Sequence, residues 1–144
     1  MTHDPLDLAY AAGIVDGEGC IGIYGKVNTH MLIVKVGMCE PQAVDFLIEK
    51  FEALSNPYNN RFGPVYRAAF TGPKAYAFLC LIRPYLRVKR TQADVAIEFW
   101  EGKGNYKGYK IAPEELARRV DYELRLKALK PRSSRQVGAL LRSG

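Results

Sequence analysis

The chain is poor in the residues that build metal clusters and cross-links. Its 144 residues include three cysteines and two histidines. Cys20, Cys39 and Cys80 are widely separated and form no CxxC pair, and His3 and His30 lie far apart. That spacing does not fit a structural zinc site, which needs closely grouped thiolate and imidazole ligands. An odd number of cysteines, each among apolar neighbours, reads instead as small core residues. No apolar run approaches the roughly 20 residues needed to span a bilayer. The opening segment "MTHDPLDLAY" lacks the basic-then-apolar order of a signal peptide, and its acids do not suit a transit peptide. The expectation is a cytoplasmic protein with no membrane partner. Acids are also short, 15 against 21 Lys and Arg, for a net charge of +6. Such a surplus favours a polyanionic partner, nucleic acid first.

What is present is ordinary globular material, 48% hydrophobic and 25% charged. The length suits one compact domain, or half of a symmetric assembly. Asp4-Pro5 has the form of a helix start, with Asp as N-cap and Pro at the first helical position, and the helix should run to about Asp16. "CIGIYGKV" and "HMLIVKVGM" read as a β-hairpin. Glu40-Pro41 opens a second helix, "NPYNNRFGP" reads as loop and "VYRAAFTG" as a strand. Gly72-Pro73 begins a third helix that Pro84 stops, a fourth ends near Glu101, and Pro113 begins a last one to about Leu129. The order suggests an α+β domain, its helices on one face of an antiparallel sheet and the other face open to solvent or ligand. No composition break divides the chain. Residues 1–101 form the expected core domain, and 102–144 a basic helical extension packed on it.

The informative stretch is "AAGIVDGEGCIGIYGK", residues 11–26, where two acids sit between glycines as a helix gives way to a strand. On a helix, Ala9, Gly13 and Gly17 share one face. Glycine costs about 1 kcal/mol against alanine there, so a stripe of it calls for a reason, such as close approach of another backbone. Gly17 has a simpler alternative as a helix C-cap. Glu18 falls at the negative end of the helix dipole, where a carboxylate is not helped. Two such helices side by side would bring two Glu18 carboxylates together as a site for a hard divalent cation. The alternative is a solvated turn residue.

"AAGIVDGEG" resembles the LAGLIDADG motif of a family of homing endonucleases. Ala12 and Gly13 match, Ile14 and Val15 fill the apolar pair, and Asp16 matches the first Asp. Ala11 stands for the first Leu, Gly17 for the second Ala and Glu18 for the last Asp. "RPYLRVKRTQADVA" is also similar to the family's segment after the third helix. The resemblance covers roughly residues 5–101. It implies the αββαββα fold, with a saddle-shaped antiparallel sheet laid on DNA. It also implies a motif helix at a dimer interface, lined here by Ala9, Ala12, Gly13 and Asp16. Glu18 would be a catalytic metal ligand, Gly17 a second ligand, and Lys89 the catalytic basic residue near the scissile phosphate. The cofactor would be magnesium, or manganese. One motif per chain implies a homodimer on a double-stranded DNA target with pseudo-palindromic half-sites. Glu40 falls near the place of a water-positioning residue in some family members, or is simply the N-cap of the second helix.

Alternation along the first hairpin puts Gly22, Tyr24, Lys26 and Asn28 on the polar face, and Lys35 follows on the next strand. With Arg61, Arg67, Arg87 and Arg90, these form the candidate DNA-binding set. Arg and Lys pair with guanine and Asn with adenine, although each could equally be a solvent-facing side chain. The segment from Arg118 to Arg142 adds a basic run suited to phosphate contacts, or a solvated helix with Leu116, Val120, Leu124 and Leu129 as its buried stripe. The leading expectation is a metal-dependent, site-specific DNA endonuclease, an enzyme that hydrolyses phosphodiester bonds. The alternatives are a binding protein of the same fold that acts on RNA or regulates DNA without cutting, and an unrelated basic α+β protein.

Overall fold

Asp4 begins the first helix through its side chain, which accepts the Leu6 N–H at 2.8 Å, while Pro5 occupies the first helical position. The computed structural model describes residues 3–25, 29–103 and 111–130. Helix α1, Pro5–Glu18, runs two residues past its expected end, so Glu18 is its last residue and not a turn residue. Gly19 caps it and starts the first strand at once. A Cβ at Gly19 would lie 2.8 Å from the Val15 backbone, so only glycine permits so abrupt an exit.

Strands β1, Gly19–Tyr24, and β2, Met31–Met38, form the expected hairpin, with Ile21 opposite Val34 and Tyr24 opposite Met31. Gly25 leaves β1 with φ 144°, and a Cβ there would meet the Thr29 carbonyl oxygen at 2.2 Å. Helix α2, Gln42–Phe51, follows, with Pro41 in the N-cap place and Glu40 exposed before it. The segment expected as loop contains two short strands, β3, Leu54–Ser55, and β4, Tyr58–Asn60. Both pair with β5, Gly63–Thr71. Asn and Pro have low strand propensity, and here cross-strand hydrogen bonds to β5 outweigh it. Helix α3, Pro73–Ile82, stops before Pro84, and a single 3-10 turn at Arg83–Tyr85 leads to α4, Arg90–Glu101. The last helix, α5, is Pro113–Leu129.

The strands lie antiparallel in the order β1–β2–β5–β3, with β4 also on β5. One sheet face carries Ile21, Ile23, Leu32, Val34, Val36, Ala68 and Phe70, all buried. It packs with Ala11, Ala12 and Val15 of α1, Leu47 of α2, Phe78 and Leu79 of α3 and Phe99 of α4 in one apolar cluster. Phe70 and Phe78 stack at its centre, ring centroids 3.9 Å apart. The α+β class and the one-sided arrangement of helices are as expected.

Three expectations are corrected. Cys39 and Cys80 are exposed and Cys20 is half-buried, so none is a core residue. The buried side of α5 is not the apolar stripe: Glu115, Arg119, Tyr122 and Leu126 face inward, while Val120, Leu124 and Leu129 are exposed. The helix is turned by what it must satisfy. Arg118 donates to the Glu98 and Phe99 carbonyls at the end of α4, Tyr122 meets Phe99, and Glu115 and Arg119 pair at 3.1 Å in the interior. Ala12, expected at a subunit interface, is fully buried in the chain's own core and has no surface left to offer a partner. No helix among the described residues is long and apolar enough to cross a membrane.

Candidate active site and nucleic-acid interface

The two acids of the junction have different surroundings. Asp16 is half-buried and faces the turn before α4. Its Oδ2 accepts the Arg87 N–H at 2.9 Å, and its Oδ1 accepts the N–H groups of Val88 at 3.2 Å and Lys89 at 2.9 Å. The Lys89 ammonium returns to the Asp16 carbonyl at 2.7 Å. A carboxylate near the C-terminus of α1 is disfavoured by that helix, but here amides at the positive N-terminus of α4 and the lysine charge offset the penalty. Lys89 in turn satisfies a carbonyl that the end of α1 leaves without a helical partner. Asp16 thus ties the end of α1 to the turn before α4.

Glu18 is exposed, and no hydrogen bond or ion pair engages its carboxylate among the described residues. Gly17 is exposed beside it, and a Cβ at Gly13 or Gly17 would meet nothing within 4 Å. Ala9, Gly13 and Gly17 therefore form an open stripe on the outer side of α1, flanked by Leu6, 78% exposed, and Tyr10, 52% exposed. Arg87 is exposed on the same turn as Lys89, whereas the Arg90 guanidinium folds back onto the Arg83 and Pro84 carbonyls.

The helix-free face of the sheet begins at that end of α1. Register places Cys20, Gly22 and Tyr24 of β1 beside Met31, Ile33, Lys35 and Gly37 of β2, and these beside Arg67, Ala69 and Thr71 of β5. None of these is acidic. Gly22 lies on this face as expected but is buried: the Tyr24 ring lies over it, 2.6 Å from where a Cβ would be. It offers no surface to DNA and serves instead as the bed for Tyr24. The Lys35 ammonium also lies over that ring, 4.7 Å from its centroid. Arg67 is half-buried, and Arg61 is exposed in the turn after β4 with its guanidinium over the Phe62 ring. Lys26 and Asn28 lie outside the described residues.

Two contributors were missed, Cys20 and Tyr58. Cys20 lies 3.3 Å from the Tyr24 hydroxyl, and Lys130, just past α5, donates to its sulfur at 3.3 Å. Burial pushes the Cys20 thiol up, but hydrogen bonds with Tyr24 and Lys130 and the charges of Lys130 and Lys35 more than reverse it, leaving it lowered. Burial, with the Cys20 contact second, pushes the Tyr24 hydroxyl up. Extending the period of two back from Gly22 would have found Cys20. Lys130 belongs to the basic run expected to contact phosphates, and it reaches this face because α5 packs against β1. Tyr58 was hidden by reading its strand as loop.

No protein-family model matches the sequence, and no curated protein matches it. Solved structures do. The homing endonuclease I-CvuI, in complex with the I-CreI target in the presence of magnesium, is 20% identical and superposes with a TM-score of 0.73 over 92% of this chain and 87% of its own. The archaeal intron-encoded homing endonuclease I-Vdi141I, complexed with DNA, is 15% identical, with a TM-score of 0.72 over 91% and 88%. The fold is that of the LAGLIDADG homing endonucleases. A third member, I-SmaMI bound to cleaved DNA, is 16% identical with a TM-score of 0.59 and matches 94% of this chain to 48% of its own. The match thus takes in nearly the whole chain, with the motif residues at the end of α1.

Among the described residues no group of three or more His, Cys, Asp or Glu could hold a metal ion. What one LAGLIDADG-type unit offers is a free hard carboxylate, Glu18, next to the exposed Gly17 backbone. That donor type suits magnesium, manganese or calcium, which take oxygen ligands and keep several waters.

Proposed function

We propose that this chain is a LAGLIDADG homing endonuclease that works as a homodimer and cuts double-stranded DNA at a specific pseudo-palindromic site. The observation that carries the reading is the arrangement at the end of α1. One acid, Asp16, is consumed in anchoring Lys89, and the other, Glu18, is left free at the margin of an acid-free sheet face with Lys35 and Arg67. A unit equal to nearly all of I-CvuI but half of I-SmaMI supports pairing of two copies. So does the outer side of α1, which exposes small and apolar residues and no charge between Leu6 and Gly17 other than Asp7 and Asp16, both turned partly inward. Pairing along Ala9, Gly13 and Gly17 would set two Glu18 side chains next to each other on the two-fold axis.

Phosphodiester hydrolysis needs an activated water and relief of charge on the phosphoryl group and leaving oxygen. Glu18 and the Gly17 carbonyl of each protomer would hold magnesium or manganese, which when bound supplies Lewis acidity toward the phosphate and lowers the pKa of a water. Lys89, fixed by Asp16, stabilises the negative charge that develops on the phosphoryl oxygens. Arg87 and the basic C-terminal extension grip the flanking backbone, while Lys35, Arg67 and Arg61 face the bases. Cutting at an insertion site would serve mobility of the element that carries the gene, such as an intron.

The test is a plasmid carrying the uninterrupted insertion site, incubated with protein and magnesium, for wild type and Glu18→Gln. Double-strand cutting by wild type and none by the variant, with both binding the site equally in gel shift, is the expected result. Tight binding without cutting by wild type would mark a binding protein of the same fold. Loss of binding in step with loss of cutting would show that Glu18 is not a metal ligand.

A further inference from the structure

Arg67 is the only arginine of β5, and it does not hang free on the sheet. Its Nε donates to the Asn56 carbonyl at 3.3 Å, and its guanidinium lies over the Tyr58 ring, 4.6 Å from the centroid. Both contacts come from the segment between β3 and β5. The Asn56 N–H in turn donates to the Arg67 carbonyl at 2.8 Å, so the segment is tied to the residue whose side chain it holds. Tyr58 pairs with Val65, which puts its ring on the same side of the sheet as Arg67, two residues on.

The contacts consume one edge and one face of the guanidinium. The two terminal amino groups remain, with no carboxylate or carbonyl on them among the described residues. Directly opposite Arg67 on β2 is Gly37, where a Cβ would make only an ordinary contact, 3.5 Å from Val65. The packing of the described residues would accept a side chain there, yet none of them covers the arginine from that side. What is left is a planar pair of donors, held on one side by an aromatic ring and open on the other.

We propose that Arg67 is a preformed reader of guanine, and that Tyr58 is the positioning residue that makes it selective. This rests on the DNA-binding reading above. Two parallel N–H donors match the O6 and N7 acceptors that guanine presents in the major groove. An arginine free to rotate would grip phosphates as readily as bases. Stacking on Tyr58 with Nε tethered removes most of that freedom before DNA arrives, so the cost of ordering is not met on binding. Tyr58 is 44% exposed, so it is not there to fill the core.

Selection of binding sites from a randomised duplex pool tests this with the full-length chain as wild type, Arg67→Ala, Tyr58→Leu and Tyr58→Phe. Wild type should select guanine at one position in each half-site. Arg67→Ala and Tyr58→Leu should each lose that preference, by about tenfold, and leave the other positions alone. Tyr58→Phe keeps the ring and should keep the preference. If wild type selects no sequence, the DNA-reading function itself falls and the proposal with it. If wild type selects a site but Arg67→Ala changes no position, or Tyr58→Leu retains guanine, or Tyr58→Phe loses it, the proposal is overturned and the DNA-binding reading stands.

Discussion

At the scale of single residues, two acids two positions apart carry different loads. Asp16 accepts three backbone N–H groups from residues more than 70 positions away, and truncation would strand those donors beside the end of α1. Asp16→Ala should therefore cost about 2 kcal/mol of stability by urea unfolding, the scale of a charge-assisted hydrogen-bond set at a half-buried site. Glu18→Gln should cost almost nothing in the same measurement, because nothing among the described residues leans on its carboxylate. A large loss at Glu18 and none at Asp16 would reverse the assignment. The glycines that bracket the second acid single out the pair in the sequence. The sequence could not separate them, because the partners of Asp16 lie on another element and are invisible to local spacing. Gly22 makes the same point. Alternation placed it on the open face correctly, but only the Tyr24 ring folded over it decides that it is covered.

At the scale of elements, α1 has two working sides. Ala11, Ala12, Ile14 and Val15 face the core, and the opposite side carries Ala9, Gly13 and Gly17, left uncovered by the other described residues. A helix that is small and apolar all round wants a partner on both sides. Because a Cβ at Gly13 touches nothing, Gly13→Ala should raise the stability of the isolated protomer by up to about 1 kcal/mol through helix propensity. Gly13→Leu should yield a folded monomer by sedimentation, since a bulky side chain holds the two helices apart. A dimeric Gly13→Leu protein would refute pairing along this stripe. Helix α5 gives a third test. Leu126 is 1% exposed in the common core, and Leu126→Ala should destabilise the whole chain by about 2–5 kcal/mol in a single transition. A separate early transition would mean that α5 folds as its own unit. Helix ends marked by Asp4-Pro5, Gly72-Pro73 and Pro113 were legible because caps and proline act locally. The inward side of α5 and the two short strands were not, because docking on α4 and pairing with β5 decide them.

At the scale of the whole molecule, the chain carries a net charge of +6, and the fold sets basic residues on one sheet face. The sheet face without helices carries Lys35 and Arg67, Lys130 is brought to its edge, and acids such as Glu115 and Glu123 are paired on α5. Affinity for duplex DNA should fall linearly on a log-log plot against salt. A complex making about six phosphate contacts would lose on the order of a thousandfold between roughly 50 and 200 mM. Fluorescence anisotropy across that range measures it, and a flat response would exclude a polyanionic partner.

The amino-acid sequence by itself determined the order of the helices and long strands, the glycine-bracketed acids and the surplus of positive charge. Capping, alternation and composition act between neighbours along the chain, so these were open to reading there. Tertiary structure alone decided which acid is bound and which is free, which side of α5 is buried and which ring steadies Arg67. Each of those depends on groups far apart in the chain, brought within hydrogen-bonding or van der Waals range by a packed core, and such forces act over only a few ångströms.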